Sequence, residues 1–170
     1  MTHQVTSNQV WAEIEKNNFG VLGMVTSDGE ARTVGIVYVV EDRKLYVGAE
    51  TSAWKTKHIA RNPHVSMTVA IARRVPLLPW IKVPATTITF SGTAKILAKE
   101  EIGAELLQRL YRHEEGRNEW CAIEVTPEKD FITYGVGVSL LQMRFPERSR
   151  ARAPVGMQRH EAQDERHEHV

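Results

Sequence analysis

Between Gly20 and Tyr134 the chain is built from short runs of β-branched and aromatic residues separated by turn-forming clusters. It lacks the regular alternation of strand and crossover helix that a parallel α/β sheet requires. Six or seven short strands with three modest helices predict instead a mainly β, antiparallel architecture, closed or partly closed as a barrel. The apolar run Gly20 to Thr26 ends in Ser27-Asp28-Gly29-Glu30, and an Asp-Gly pair between apolar runs is the strongest short signal for a hairpin. The next strand is expected from Ala31 to about Val40. A polar turn at Glu41 to Lys44 and a strand over Leu45 to Ala49 complete a three-strand meander. Val65 to Ile71, Thr86 to Leu97 and Trp120 to Tyr134 read as further strands. Gly92 is expected to mark a bulge or corner where the sheet curls, and Pro127 to break the last strand.

Three segments carry helical spacing. Val10, Trp11 and Ile14 define a first helix, with Ser7 or Asn8 as its cap. Thr51 and Ser52 are candidate caps for a second over Lys55 to Arg61, which Asn62-Pro63 ends. Ile102, Leu106, Leu107 and Leu110 form a stripe expected to cover one open end of the barrel. The stretch Arg73 to Pro84 carries three prolines and reads as an excursion over the surface or across a partner subunit. From Arg144 onward, arginine and acidic residues alternate with few large apolar side chains. The expected organisation is one domain over residues 1–143 and an extended or disordered tail over 144–170.

Composition removes several classes of function. A net charge of +1 with interleaved signs gives no global field for nucleic acid or an anionic membrane. No apolar run approaches the roughly 18 to 20 residues of a membrane span, and the polar start Met1-Thr2-His3-Gln4 lacks signal-peptide character, so a cytoplasmic address is expected. The single cysteine, Cys121, excludes an internal disulfide or CxxC pair, and its apolar neighbours favour a small core residue. HExxH, Walker-type and complete dinucleotide fingerprints are missing, as is a nucleophile-elbow serine. His160, His167 and His169 sit together near the end of the chain, with only adventitious metal binding in view. Neither a metal site nor a catalytic side chain is expected.

The chemically informative stretch runs from Thr51 to Pro63. Hydroxyls and backbone N–H groups gather at a helix start, where the helix dipole favours negative charge, and Lys55 and Lys57 add full positive charge. This is a candidate phosphate cradle, to which Arg32, after the Asp-Gly turn, is placed to add a forked donor. The alternative is ordinary surface lysines and an arginine that flanks a turn. Trp54 and Trp80 are candidates to wall a flat conjugated ligand or to serve packing. Arg73 and Arg74 are candidates for an anionic ligand or for a solvated turn.

The Asp-Gly turn, Arg32-Thr33-Val34, the segment Gly48-Ala49-Glu50-Thr51-Ser52, Lys55, and Arg61-Asn62-Pro63-His64-Val65-Ser66-Met67 together resemble the pyridoxamine 5′-phosphate oxidase-like flavoproteins over about residues 8 to 135. The resemblance implies an antiparallel split β-barrel and a homodimer with the cofactor at the subunit interface, the cofactor being FMN or, in some members, a deazaflavin. It places Arg32 and Lys55 on the cofactor phosphate, Thr33, Val34 and Gly35 near the flavin ring, and Ala49, Glu50, Thr51 and Ser52 against ribityl and phosphate, with Trp54 and Lys57 beside them. Thr87 falls where some members place a polar contact to the flavin. Departures bear on the substrate: Val37 stands where true pyridoxamine phosphate oxidases carry a lysine, Trp54 where they carry a second basic residue, and Pro146-Glu147-Arg148-Ser149-Arg150 does not match their C-terminal Arg-x-His.

The resulting expectation is a flavin-dependent oxidoreductase acting on a small molecule other than vitamin B6, with backbone N–H groups near Val34 to Ile36 stabilising negative charge on the ring. Alternatives are a deazaflavin-dependent reductase and a non-catalytic flavin- or haem-binding stress module. Haem would take His58, His64 or a tail histidine as ligand. A colourless interaction protein is the remaining alternative.

Overall fold

The computed structural model describes residues 4–75, 80, 83–111 and 119–156. Two turns organise the first half of its sheet. Strands β1 (Phe19–Val25) and β2 (Ala31–Val37) pair antiparallel. Between them Gly29, at φ 81°, turns the chain while Thr26 N donates to Glu30 O at 2.8 Å. Strands β3 (Val39–Glu41) and β4 (Lys44–Glu50) are joined by Asp42 and Arg43, both at positive φ (49° and 58°), the mirror-image turn whose twist matches a hairpin. The Arg43 guanidinium donates to Asn8 Oδ1 at 2.6 Å, tying this turn to helix α1 (Ser7–Glu15). The cap of α1 is Thr6 rather than Ser7 or Asn8: its hydroxyl accepts from Gln9 N while the Gln9 side chain accepts from Thr6 N, a reciprocal pair that satisfies two backbone donors.

The strand expected from Ala31 to Val40 is broken at Tyr38, and the meander does not form. β2 pairs with β1, β3 pairs with β4, and with β5 (His64–Ile71), β6 (Thr86–Ala98) and β7 (Trp120–Tyr134) the sheet order is β2-β1-β5-β6-β7-β4-β3, antiparallel throughout. Strands adjacent in the chain therefore occupy opposite edges of the sheet, with one residue between them. A single residue spans only about 7 Å between the α-carbons on either side of it, so the sheet must curl until its edges nearly meet. Tyr38 is anchored at that crossing: it is 2% exposed, its N–H donates to Asn18 O at 2.9 Å and its hydroxyl to Ile14 O at 2.9 Å. No ladder joins β2 to β3 or β4, so the barrel is split along this seam.

Strands β5, β6 and β7 complete the curl. β7 runs through Pro127 without ending. The irregularity instead lies just beyond it, where Ser91 pairs Glu128 but Thr89 pairs Ile132, and Lys129 takes φ 61°. Gly92 is needed for a different reason than the expected bulge: a Cβ there would collide with the carbonyl oxygen of Thr126 on β7. The barrel interior is filled by alternate residues of the strands and by the α1 stripe, with the Phe131 ring edge-on to both Trp11 and Phe90 at centroid distances of 5.5 Å.

Helix α3 (Ala104–Tyr111) does not plug the barrel end. Ile102, Leu106 and Leu110 pack on Tyr46, Leu97, Trp120 and Ala122, residues whose strand neighbours Leu45, Val47, Cys121 and Ile123 face the other way, into the barrel. α3 therefore covers an outer face of the sheet. The expected boundary at 143/144 also fails to separate packed from unpacked chain. Short helix α4 (Pro146–Ser149) leads into β8 (Arg150–Pro154), which pairs with the end of β7. Ser149 is buried, with its hydroxyl bonded to Gln142 O and Phe145 O, and the Ser7 hydroxyl donates to Val155 O. The charged look of this stretch arises because Arg150 and Arg152 point outward while only the small Ala151 and Ala153 point in. His160, His167 and His169 lie outside the described residues.

Gly92→Ala is expected to lower the unfolding free energy by about 1–3 kcal/mol, as overpacking against fixed backbone does; an unchanged urea midpoint would contradict the close approach. Ending the chain after Ser149 removes β8 and strips Phe131 of cover, and should cost at least about 2 kcal/mol in the same measurement.

Candidate functional site

The seam holds a cavity of about 200 Å³ lined by Gly35, Ile36, Val37, Tyr38, Val39, Val47, Gly48, Lys55, Arg109 and Leu110. Each wall comes from a different consequence of the fold. β2 contributes its last residues as an edge strand, so backbone groups not paired to β1 face the gap. β4 contributes Gly48, where a Cβ would press on the Trp120 ring at 3.1 Å, so this wall stays flat. Helix α2 (Trp54–Arg61) brings Lys55, and α3 brings Arg109 and Leu110.

The approach to α2 is braced from β4: Glu50 O accepts both Ala53 N at 3.1 Å and the Thr56 hydroxyl at 2.8 Å, and Thr51 N donates to Glu119 O. Contrary to expectation, neither Thr51 nor Ser52 caps the helix. The cap residue is Ala53, whose side chain makes no cap bond, and both hydroxyl residues are exposed. The start of α2, with its N–H groups and Lys55 together, is an arrangement that suits an anion.

Of the expected cofactor residues, Gly35 and Lys55 line the cavity. Ala49 is buried one step beyond Gly48, and its carbonyl accepts the Cys121 thiol at 3.5 Å. Val34 is half-buried and packs on the core, while Thr33 is exposed on β2. Arg32 is not in the lining; it is exposed and ion-paired with Glu30 at 3.2 Å. Trp54 is exposed, its ring edge-on to His58 at 5.8 Å, and Lys57 is exposed on the same helix. Thr87 lies on β6 between Ala70 and Tyr134, away from the lining. His58 and His64 are likewise outside it, and among the described residues no group of three His, Cys, Asp or Glu side chains is assembled for a metal. The Arg73 guanidinium is used structurally, donating to the buried Thr86 hydroxyl at 2.9 Å. Pro76 to Pro79, Ile81 and Lys82 of the proline-rich excursion lie outside the described residues, and Trp80 is exposed.

Sequence reasoning did not single out Arg109, Tyr38 or Gly48 as lining residues. Their signals were indirect: a glycine inside a strand, an aromatic in an otherwise β-branched run, and a cation beside the Leu110 of an apolar stripe. On the outer face of β1 and β2, Phe19, Val21, Val25 and Val37 are exposed around Gly23, Thr33 and Gly35, and Ile132 is exposed farther along the same sheet. Gly35 and Val37 belong both to this apolar face and to the cavity.

A sheet curled into a barrel that stays open along one seam, with a cation-bearing cavity in the opening, defines a split-barrel protein. The model of the pyridoxamine 5′-phosphate oxidase family matches residues 7–132, and the chain belongs to that family. Similar solved structures include the haem storage protein of Vibrio cholerae (13% identity, 78% of this chain and 98% of that one, TM-score 0.61). General Stress Protein 26 of Bacillus anthracis is also similar (22% identity, 75% and 91%, TM-score 0.52), as is an F420 reductase (19% identity, 71% and 93%, TM-score 0.51). Among curated proteins no match was found.

Cys121, 1% exposed against the barrel side of β4, borders this region without entering it. Burial pushes its thiol pKa up, with Thr56 and Lys55 pulling more weakly in the opposite direction. A thiol held protonated and covered should react with a maleimide at pH 8 at least about 100-fold more slowly in the native protein than in urea; comparable rates would show that the wall of the site opens.

Proposed function

We propose that the chain is a flavin-binding oxidoreductase that holds FMN in the seam as a homodimer, each cofactor lying between two subunits. The observation that carries this reading is that one cavity joins Gly35 of β2, the β4 wall at Gly48 and Lys55 of α2, three segments the family pattern turns toward the cofactor. Bound FMN would supply the hydride or electron transfer; the protein supplies position and charge. Lys55 and the N–H groups at the start of α2 hold the phosphate. Edge N–H groups of β2 near Val34 to Ile36 face the seam and stabilise negative charge on the ring. No side chain is assigned as a proton donor.

Size and surface support the dimer. A cavity of about 200 Å³ falls below the roughly 300–1,000 Å³ of complete small-molecule sites, so one chain provides part of the walls. The remainder would come from a second copy covering the apolar outer face of β1 and β2, which shares Gly35 and Val37 with the cavity. The substrate is a small molecule other than pyridoxamine phosphate, given Val37, Trp54 and the missing C-terminal Arg-x-His.

The test is a parallel titration of apo-protein with FMN, a deazaflavin and haem, followed by absorbance and fluorescence. FMN should bind, and Lys55→Ala should weaken it about 10- to 100-fold, the loss of one charge-assisted contact. Preferential deazaflavin binding, a Soret band with haem, or binding of none of the three would each replace this reading. FMN bound without substrate-dependent reoxidation would make the chain a flavin carrier.

A further inference from the structure

We propose that Arg109, in the last turn of α3, is the second cation of the phosphate site, gripping the FMN phosphate together with Lys55 from the opposite side of the seam; this rests on the FMN reading above. Among the described residues, the cavity lining contains two cationic side chains, Lys55 and Arg109, and no carboxylate. A phosphate monoester carries nearly two negative charges at neutral pH, so Lys55 alone leaves about one unmatched. Arg32, the arginine that the sequence pattern would supply, stands outside the lining.

Arg109 is already held where such a charge is useful. Its Nη2 donates to Val40 O at 3.0 Å, and Nη1 lies 3.8 Å from Glu41 Oε1. These contacts fix the guanidinium at the junction of β3 and α3 while leaving other donors of its five-donor fork available. A fork positioned in advance loses little further freedom on gripping a ligand. Glu41 is a weak competitor, because its contact is long and both side chains are more than a third exposed. The placement of α3 is itself fixed by Leu106 and Leu110 in the outer cluster, so the arginine does not depend on a loop for its position.

Riboflavin shares the ring and ribityl chain of FMN but lacks the phosphate, and it separates charge recognition from fold. Full-length wild type, Arg109→Gln and Arg109→Lys are titrated with both ligands by flavin fluorescence. The expected result is a Kd for FMN raised about 10- to 100-fold in Arg109→Gln, riboflavin affinity changed less than about 2-fold, and partial recovery of FMN affinity in Arg109→Lys. Equal weakening of both ligands would assign Arg109 a purely structural role and overturn the proposal, as would unchanged FMN affinity. If Lys55→Ala weakens FMN while Arg109→Gln does not, only the role of Arg109 falls. A wild type without affinity for FMN removes the cofactor reading and this inference together.

Discussion

Everything about this molecule follows from one residue joining the two edges of a seven-strand path. β2 and β3 end that path on opposite sides, yet only Tyr38 separates them in the chain. Closure is thus enforced covalently where it is not enforced by hydrogen bonds. The buried phenol adds rigidity: its hydroxyl donates to Ile14 O, and burial pushes its pKa far above the usual tyrosine range. An exposed sheet edge invites pairing with another chain. Here two edges face each other with no ladder between them, and the candidate cavity lies in the gap.

The long strand β7 distributes the rest of the structure around that seam. It pairs with β6 along most of its length, with β4 over its first half and with β8 at its end. Its alternating side chains feed two separate apolar clusters: Cys121, Ile123 and Val125 face the barrel, while Trp120 and Ala122 face α3. Without the outer cluster α3 would have no seat, and the β3 side of the seam would lack a cation. The ring of Trp120 is also what requires Gly48, so core packing and the shape of the cavity are set by the same contact.

Much of the architecture was legible because it rests on local rules. Asp28-Gly29 marks its hairpin, the stripe through Leu106 and Leu110 marks its helix, and Lys55 beside a strand-to-helix turn marks an anion-suited position. What escaped depends on distant partners. Val37, Tyr38 and Val39 share strand propensity, and nothing local says that the chain changes edges between them. β8 is disguised because its inward side chains are alanines and its outward ones arginines, so burial comes from the neighbouring β7 and not from its own hydrophobicity. Arg109 belongs to the seam only because α3 lies outside the barrel, which its stripe of leucines does not specify.

The crossing at Tyr38 also bears on the order in which the molecule assembles. The hairpins β1–β2 and β3–β4 can form from contacts close in sequence. The cavity between them exists only after β5, β6 and β7 have been laid in order between the two hairpins, a set of non-local pairings that comes late because chain entropy is lost before contacts compensate it. A ligand held in the seam therefore finds no foothold on partly folded chain. It can reward only the completed curl, so it would act on the lifetime of the native state and hardly at all on the speed with which the chain reaches it.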